Sequence, residues 1–163
     1  MILGMSVSAF TQLHVALSLA GIAAGFAVLV GLLRSHVSGG TTAVFLITTI
    51  LTSATGFLFP ATAVLPSHVV GAVSLAALAV AVVALYNRRL EGPWRAAYVA
   101  SAMLSLYLNV FVLVVQAFQK IAFLNALAPT QSAPPFVVTQ GVVLALFVWL
   151  GFRALRSFHP VAV

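Results

Sequence analysis

Polar residues recur along one face of the segment from Trp94 to Lys120, and large apolar residues occupy the opposite face. At 100° per residue the polar positions fall within an arc of about 100°. Because an unpaired amide in hydrocarbon costs several kcal/mol, we expect this face to turn toward other helices. Its members are Trp94, Tyr98, Ser101, Ser105, Asn109, Gln116, Gln119 and Lys120. The pattern predicts that the other helices pack around this one.

Four further apolar runs are separated by short loops rich in Gly, Pro or Arg. No charged residue precedes Arg34, so the first run lacks the basic start of a secretory signal peptide and we interpret it as a retained span. The second run carries seven hydroxyl side chains, which favours a helix buried among others. Together the runs predict a single-domain (1–163), all-α membrane protein, a bundle of five transmembrane helices at about 13–33, 41–59, 68–86, 96–119 and 136–152.

Local signals set several limits of these helices. Pro60 is expected to end the second span, and Ser67 is placed to cap the amino terminus of the third. Residues 121–128 predict a short interfacial helix before the last span. Gly21 and Gly25 form a GxxxG pattern, at which another helix can approach closely.

The composition excludes several classes of protein and site. The chain is 63% hydrophobic and 5% charged, so a soluble domain of this composition would lack a polar surface. It has no cysteine and one acidic residue, Glu91, which excludes disulfides, thiolate catalysis, cysteine-based metal sites and carboxylate pairs. The net charge of +6 does not indicate a nucleic-acid partner, because the basic residues lie at the ends of apolar runs.

The basic residues predict the direction of threading. With five spans, six of the seven fall on one side of the membrane and Lys120 falls on the other. Basic loops stay in the cytoplasm, so we predict an external amino terminus and a cytoplasmic carboxyl terminus. The six are Arg34, Arg88, Arg89, Arg95, Arg153 and Arg156.

This threading places most polar side chains toward the outside. We therefore predict an outward-facing polar pocket framed by spans one, three, four and five. Amides are the strongest candidates, since each needs several hydrogen-bond partners. The residues expected to bind a ligand there are His14, His68, Asn109, Gln116, Lys120 and Gln140.

Two of these positions allow more than one interpretation. His14 and His68 lie near the outer ends of different spans, where two imidazoles could hold a b-type haem or a metal ion, or simply hydrogen-bond neighbouring carbonyls. Lys120 could bind an anionic headgroup or a quinone carbonyl, or extend to the membrane surface.

Four segments carry a resemblance: TTILTSATGFLFP, LPSHVVGAVSL, LYLNVFVLVVQAFQK and LAPTQSAPPF. They resemble a family of small bacterial integral-membrane proteins with no known activity, over roughly residues 41–150. The resemblance implies a multi-pass protein of the bacterial inner membrane. It assigns no role to any residue within the matching segments.

The leading hypothesis is a non-enzymatic protein that binds a small apolar or amphipathic ligand, or a partner, through the outer pocket. Its surroundings would be the lipid bilayer, with a second copy or a membrane-complex partner as further possibilities. The alternatives are an electron-transfer protein with haem b on His14 and His68, and a small channel or transporter. A last alternative is an enzyme acting on lipid or quinone, with His14 or His68 as base and Lys120 as anion binder.

Overall fold

The computed structural model describes residues 1–61, 63 and 65–159. Within them all regular structure is helical, apart from one isolated β-bridge between Ile2 and Met5, so the predicted all-α class is confirmed. The helices are α1 (Val7–Leu33), α2 (Gly39–Gly56), α3 (Pro66–Val82, continued by a π-helical turn Val83–Asn87), α4 (Pro93–Lys120), α5 (Ala122–Leu127) and α6 (Pro134–Ser157).

Four of these helices are long and apolar enough to cross a membrane: α1, α3 with its π-helical turn, α4 and α6. The 18-residue α2 is not among them. Its glycines and hydroxyl side chains lower its mean hydropathy, although several of those hydroxyls are buried in the bundle. Burial of Thr42, Thr49, Thr52 and Ser53 confirms that α2 packs among other helices.

Helices α1 to α4 form a ring in which each contacts the next and α4 closes onto α1. Helix α6 packs outside this ring, against α4 and α1, and α5 packs against α4. The predicted inward face of α4 is confirmed over its first four turns, because Tyr98, Ser101, Ser105 and Asn109 are all buried. Helix α4 thus contacts more of the other helices than any other element does.

One end of the bundle gathers the arginines, and we call it the arginine end. There the Arg95 guanidinium donates hydrogen bonds to the carbonyl oxygens of Leu155, at 3.2 Å, and Phe158, at the carboxyl end of α6. The His159 backbone N–H donates to the Ser35 hydroxyl at 2.6 Å. These contacts bring the end of α1, the start of α4 and the end of α6 together. We call the opposite end the Lys120 end.

Close packing joins α1 to α2 and α4 at Gly25. A β-carbon on Gly25 would lie 2.5 Å from Leu106 Cδ1 and 3.0 Å from the Phe45 ring, so α1 meets α2 and α4 there without a side chain of its own. Phe45 and Leu106 are almost fully buried. The predicted glycine seam is therefore confirmed as a close approach, and it is occupied within this chain.

The helix limits differ from the predicted ones at several points, and α1 begins at Val7 rather than near residue 13. Helix α2 ends at Gly56, before Pro60. Helix α3 begins at Pro66 with Leu65 as the residue before it, so the prediction that Ser67 caps this helix is wrong. Proline suits the first helical turn because its missing N–H has no partner to lose there. Helix α6 continues to Ser157, which makes it 24 residues long, whereas α5 confirms a short helix within residues 121–128.

Candidate functional site

A cavity of about 90 Å³ opens in the Lys120-end half of the ring. All four ring helices contribute to its wall, and the polar part of the wall consists of hydroxyls, one amide and one imidazole. Among the described residues no charged side chain lines it. We call it the ring cavity; its polar lining residues are His14, Ser18, Thr52, Ser53, Ser67, Ser74 and Asn109.

Asn109 lies where α1, α2 and α4 meet. Its side chain is 8% exposed, and Nδ2 donates a hydrogen bond to Thr49 Oγ1 at 3.4 Å. A β-carbon on Gly21 would lie 3.1 Å from the hydroxyl oxygens of Thr48 and Thr49 and 3.5 Å from Asn109 Nδ2, so this glycine lets α1 approach the polar pair. An amide group offers two donors and an acceptor, so one hydrogen bond leaves capacity for a ligand or water in the cavity.

The wall between α2 and α3 carries paired and unpaired hydroxyls. The Ser53 hydroxyl donates to that of Ser74 at 3.0 Å. The Thr52 hydroxyl is buried and has no hydrogen-bond partner among the described residues. A buried hydroxyl without a partner is costly. Because the Thr52 oxygen has almost no accessible surface, the Asn109 amide is the group of this wall whose spare hydrogen-bonding capacity a molecule in the cavity could reach.

His14 stands beside the cavity with one ring nitrogen engaged. Its Nδ1 lies 2.8 Å from Thr55 Oγ1, and that hydroxyl donates to the Leu51 carbonyl at 2.7 Å. Since the Thr55 proton is directed at Leu51, these hydrogen bonds assign the proton of a neutral His14 ring to Nδ1. The ring also meets Phe59 edge to face, with centroids 5.2 Å apart. Nε2 then keeps its lone pair.

His68 does not line the ring cavity. Its Nδ1 accepts a hydrogen bond from the Leu65 backbone N–H at 3.1 Å, and its ring stacks on Phe57 with centroids 5.5 Å apart. A neutral ring that accepts through Nδ1 carries its proton on Nε2. Because an axial haem ligand needs a free nitrogen lone pair, the arrangement of His14 and His68 does not fit a bis-histidine haem. No group of three or more metal-ligating side chains occurs in the described part of the chain.

Gln140 lies outside the ring cavity, between α4 and α6. Its Nε2 donates to the Phe111 carbonyl at 3.1 Å, while Oε1 is buried without a partner among the described residues. The predicted frame of the pocket was therefore wrong in one helix. Helix α2 provides the wall that was assigned to the last span, because α6 packs outside the ring.

Gln116 and Lys120 are exposed and do not line the ring cavity. Gln116 shares the face of Asn109 but lies about 10 Å farther along α4, near the end of the helix. Helical periodicity predicts which face of α4 a residue lies on. Whether neighbouring helices cover that residue depends on its position along the helix axis. Lys120 is the last residue of α4, where a cation interacts favourably with the helix dipole. Both residues therefore lie apart from the ring cavity.

Toward the arginine end, packed apolar side chains separate the ring cavity from a smaller cavity of about 60 Å³, whose lining includes Thr41, Thr42 and Tyr98. Phe45, Leu78 and Leu106 are nearly or fully buried there, and they belong to one continuous apolar cluster with Tyr98 and Val99. The ring cavity thus ends against packed side chains within the described structure. This arrangement favours binding over conduction.

Comparisons of the chain with protein-family models, with curated proteins and with solved structures find no match.

Proposed function

We propose that this chain is a non-catalytic, multi-pass protein of the bacterial inner membrane that binds the polar end of a small amphipathic ligand in the ring cavity. The observation that carries the proposal is the uncharged cavity with the Asn109 amide at its inner end, which makes one side-chain hydrogen bond within the described residues. Buried polar groups at membrane depth commonly serve a function, because they are costly to keep there.

The proposed threading has five spans, with the amino terminus outside and the carboxyl terminus in the cytoplasm. It counts α2 as a span: 18 helical residues are about 27 Å long, close to the thickness of the hydrocarbon core. The gathering of arginines at one end of the bundle supports a cytoplasmic position for that end. The ring cavity then opens toward the outside.

The size and chemistry of the cavity support the class of ligand. A volume of about 90 Å³ equals about three water molecules at liquid density and is far below that of a typical drug-sized site. Such a space accommodates a hydroxyl, amide or carbonyl group but not a large headgroup. An uncharged lining favours a neutral group. The apolar remainder of the ligand would stay in the bilayer.

The same lining supports a binding role over a catalytic one. His14 is the only imidazole, amine or carboxylate among the described lining residues, so no acid and base stand together. General acid–base catalysis usually needs groups matched to donate and to accept a proton. The wall of the cavity can therefore form hydrogen bonds with a ligand and exclude water.

Native mass spectrometry of the protein extracted in mild detergent tests the proposal. The wild type and Gln116→Leu should retain the same small molecule, because Gln116 is exposed on the same face of α4. Asn109→Leu should lose it, because the substitution removes the amide at the inner end of the cavity. Equal retention by all three proteins, or none by the wild type, would contradict the proposal. A Soret absorbance lost in His14→Ala would instead favour a haem protein.

A further inference from the structure

Two arginines near the end of α6 lie over aromatic rings one turn earlier in the same helix. The Arg153 guanidinium carbon is 5.5 Å from the centroid of the Trp149 ring, and that of Arg156 is 4.1 Å from the centroid of the Phe152 ring. Both side chains therefore fold back along the helix toward its apolar middle rather than extending beyond its end.

Helix α6 is the least buried of the four long apolar helices. Helix α6 packs outside the ring, and Trp149 and Phe152 are 54% and 50% exposed. Both arginines are exposed as well. The single carboxylate side chain of the sequence, Glu91, lies in the loop before α4, and neither α1 nor α4 contains an acidic residue. The two cations thus have no carboxylate on the helices beside them.

A guanidinium stacked on an aromatic ring uses its flat face and keeps its N–H edge free. That edge matches two oxygens of a phosphate, which it binds bidentately. Tryptophan near a helix end lies at the boundary between acyl chains and headgroups, the depth at which lipid phosphates occur. Positive charge, free N–H donors and exposed aromatic rings therefore coincide at one depth on one helix.

We propose that Arg153 and Arg156, supported by Trp149 and Phe152, form a binding site for the phosphate of an anionic phospholipid. The acyl chains would lie along the exposed apolar side of α6, where Val148 is 64% exposed. Helix α6 contributes nothing to the lining of the ring cavity, so this site is independent of the proposed ligand.

Native mass spectrometry with added phosphatidylglycerol or phosphatidylcholine tests this site. We expect the wild type to retain phosphatidylglycerol in preference to phosphatidylcholine. The double variant Arg153→Gln, Arg156→Gln should lose about tenfold of that retention, which corresponds to about 1.4 kcal/mol, because it removes the charged N–H donors to the phosphate. The matched control is Arg34→Gln, Arg89→Gln, which removes the same charge elsewhere at the arginine end and should retain the lipid.

Conservative variants separate a stacked guanidinium site from diffuse positive charge. Arg153→Lys with Arg156→Lys keeps the charge but loses the planar fork, so retention should fall toward that of the glutamine variant. Equal losses in the two glutamine pairs, or full retention in the lysine pair, would overturn the assignment to α6. Displacement of the lipid by excess inorganic phosphate would overturn the choice of a phospholipid as the ligand.

Discussion

The same four helices pack differently in the two halves of the ring: closely in one half, and around a polar cavity in the other. Toward the arginine end, Phe45, Leu106 and their neighbours pack closely and leave only a smaller cavity beside Thr42 and Tyr98. Toward the Lys120 end, hydroxyls and the Asn109 amide surround a cavity that they do not fill. Without a hydrophobic driving force in lipid, helix association depends on van der Waals packing and interhelical hydrogen bonds. Close packing therefore dominates one half of the bundle, and the ligand binding that we propose belongs to the other half.

The glycine pair of α1 shows the contrast within a single motif. A side chain at Gly25 would meet carbon atoms of Leu106 and Phe45, whereas one at Gly21 would meet hydroxyl oxygens of Thr48 and Thr49. At 2.5 Å the Leu106 methyl must move, whereas the 3.1 Å distances at Gly21 require shifts of only a few tenths of an ångström. The same spacing of small residues therefore serves close packing at one position and access to a polar pair at the other.

The largest expected effect lies in the apolar half. Phe45→Ala should lower the free energy of unfolding by about 2–4 kcal/mol, because it leaves a void among packed side chains. Unfolding in mixed detergent micelles measures this quantity. The control Phe123→Ala removes a ring that is 70% exposed and should change it by less than about 0.5 kcal/mol. Similar losses of unfolding free energy in both variants would contradict a stabilising role for the closely packed half of the ring.

Alanine at the two glycines gives an intermediate effect and sharpens the comparison. Gly25→Ala should cost about 1–2 kcal/mol, because Leu106 and Phe45 must both move. Gly21→Ala should cost less, since its nearest neighbours are hydroxyl oxygens. The same unfolding assay measures both, with Gly141→Ala as a control at a position with open space. A greater loss of unfolding free energy in Gly21→Ala than in Gly25→Ala would contradict the conclusion that the half around Gly25 is the more closely packed.

The smallest effect concerns the unpaired hydroxyl in the polar half. Thr52→Val should leave the free energy of unfolding unchanged or raise it slightly, because it removes a buried hydroxyl without a partner. Ser53→Ala, which removes a hydrogen bond to Ser74, should instead cost about 0.6 kcal/mol. A loss in Thr52→Val as large as that in Ser53→Ala would indicate that the Thr52 hydroxyl is already paired.

Much of the architecture could be predicted from the sequence, because apolar runs of sufficient length and a polar stripe on α4 depend only on local periodicity. Burial of Tyr98 and Asn109 follows from that stripe. Which helices form the walls of the cavity could not be predicted from the sequence. Whether Gln140 faces the cavity depends on which helices become neighbours, and apolar spans of similar length do not encode their order around a ring.

The hydroxyls of α2 were the available signal for the missed wall. Their number predicted a buried helix but not its position next to α3. That position depends on the close approach at Gly71 and on the hydrogen bond between Ser53 and Ser74. Likewise, Gln116 lies on the predicted face yet is exposed, since periodicity does not report where neighbouring helices end.

Cysteine accessibility tests the division of the ring most directly, because the natural sequence contains no cysteine. Ser18→Cys lies in the wall of the cavity, whereas Ser105→Cys lies one turn from Asn109 toward the arginine end, at a position with 0% exposure. In lipid nanodiscs, a small water-soluble thiol reagent should modify Ser18→Cys at least about tenfold faster, since thiolate forms where water enters. Equal rates, or faster modification of Ser105→Cys, would contradict a polar cavity closed by an apolar half.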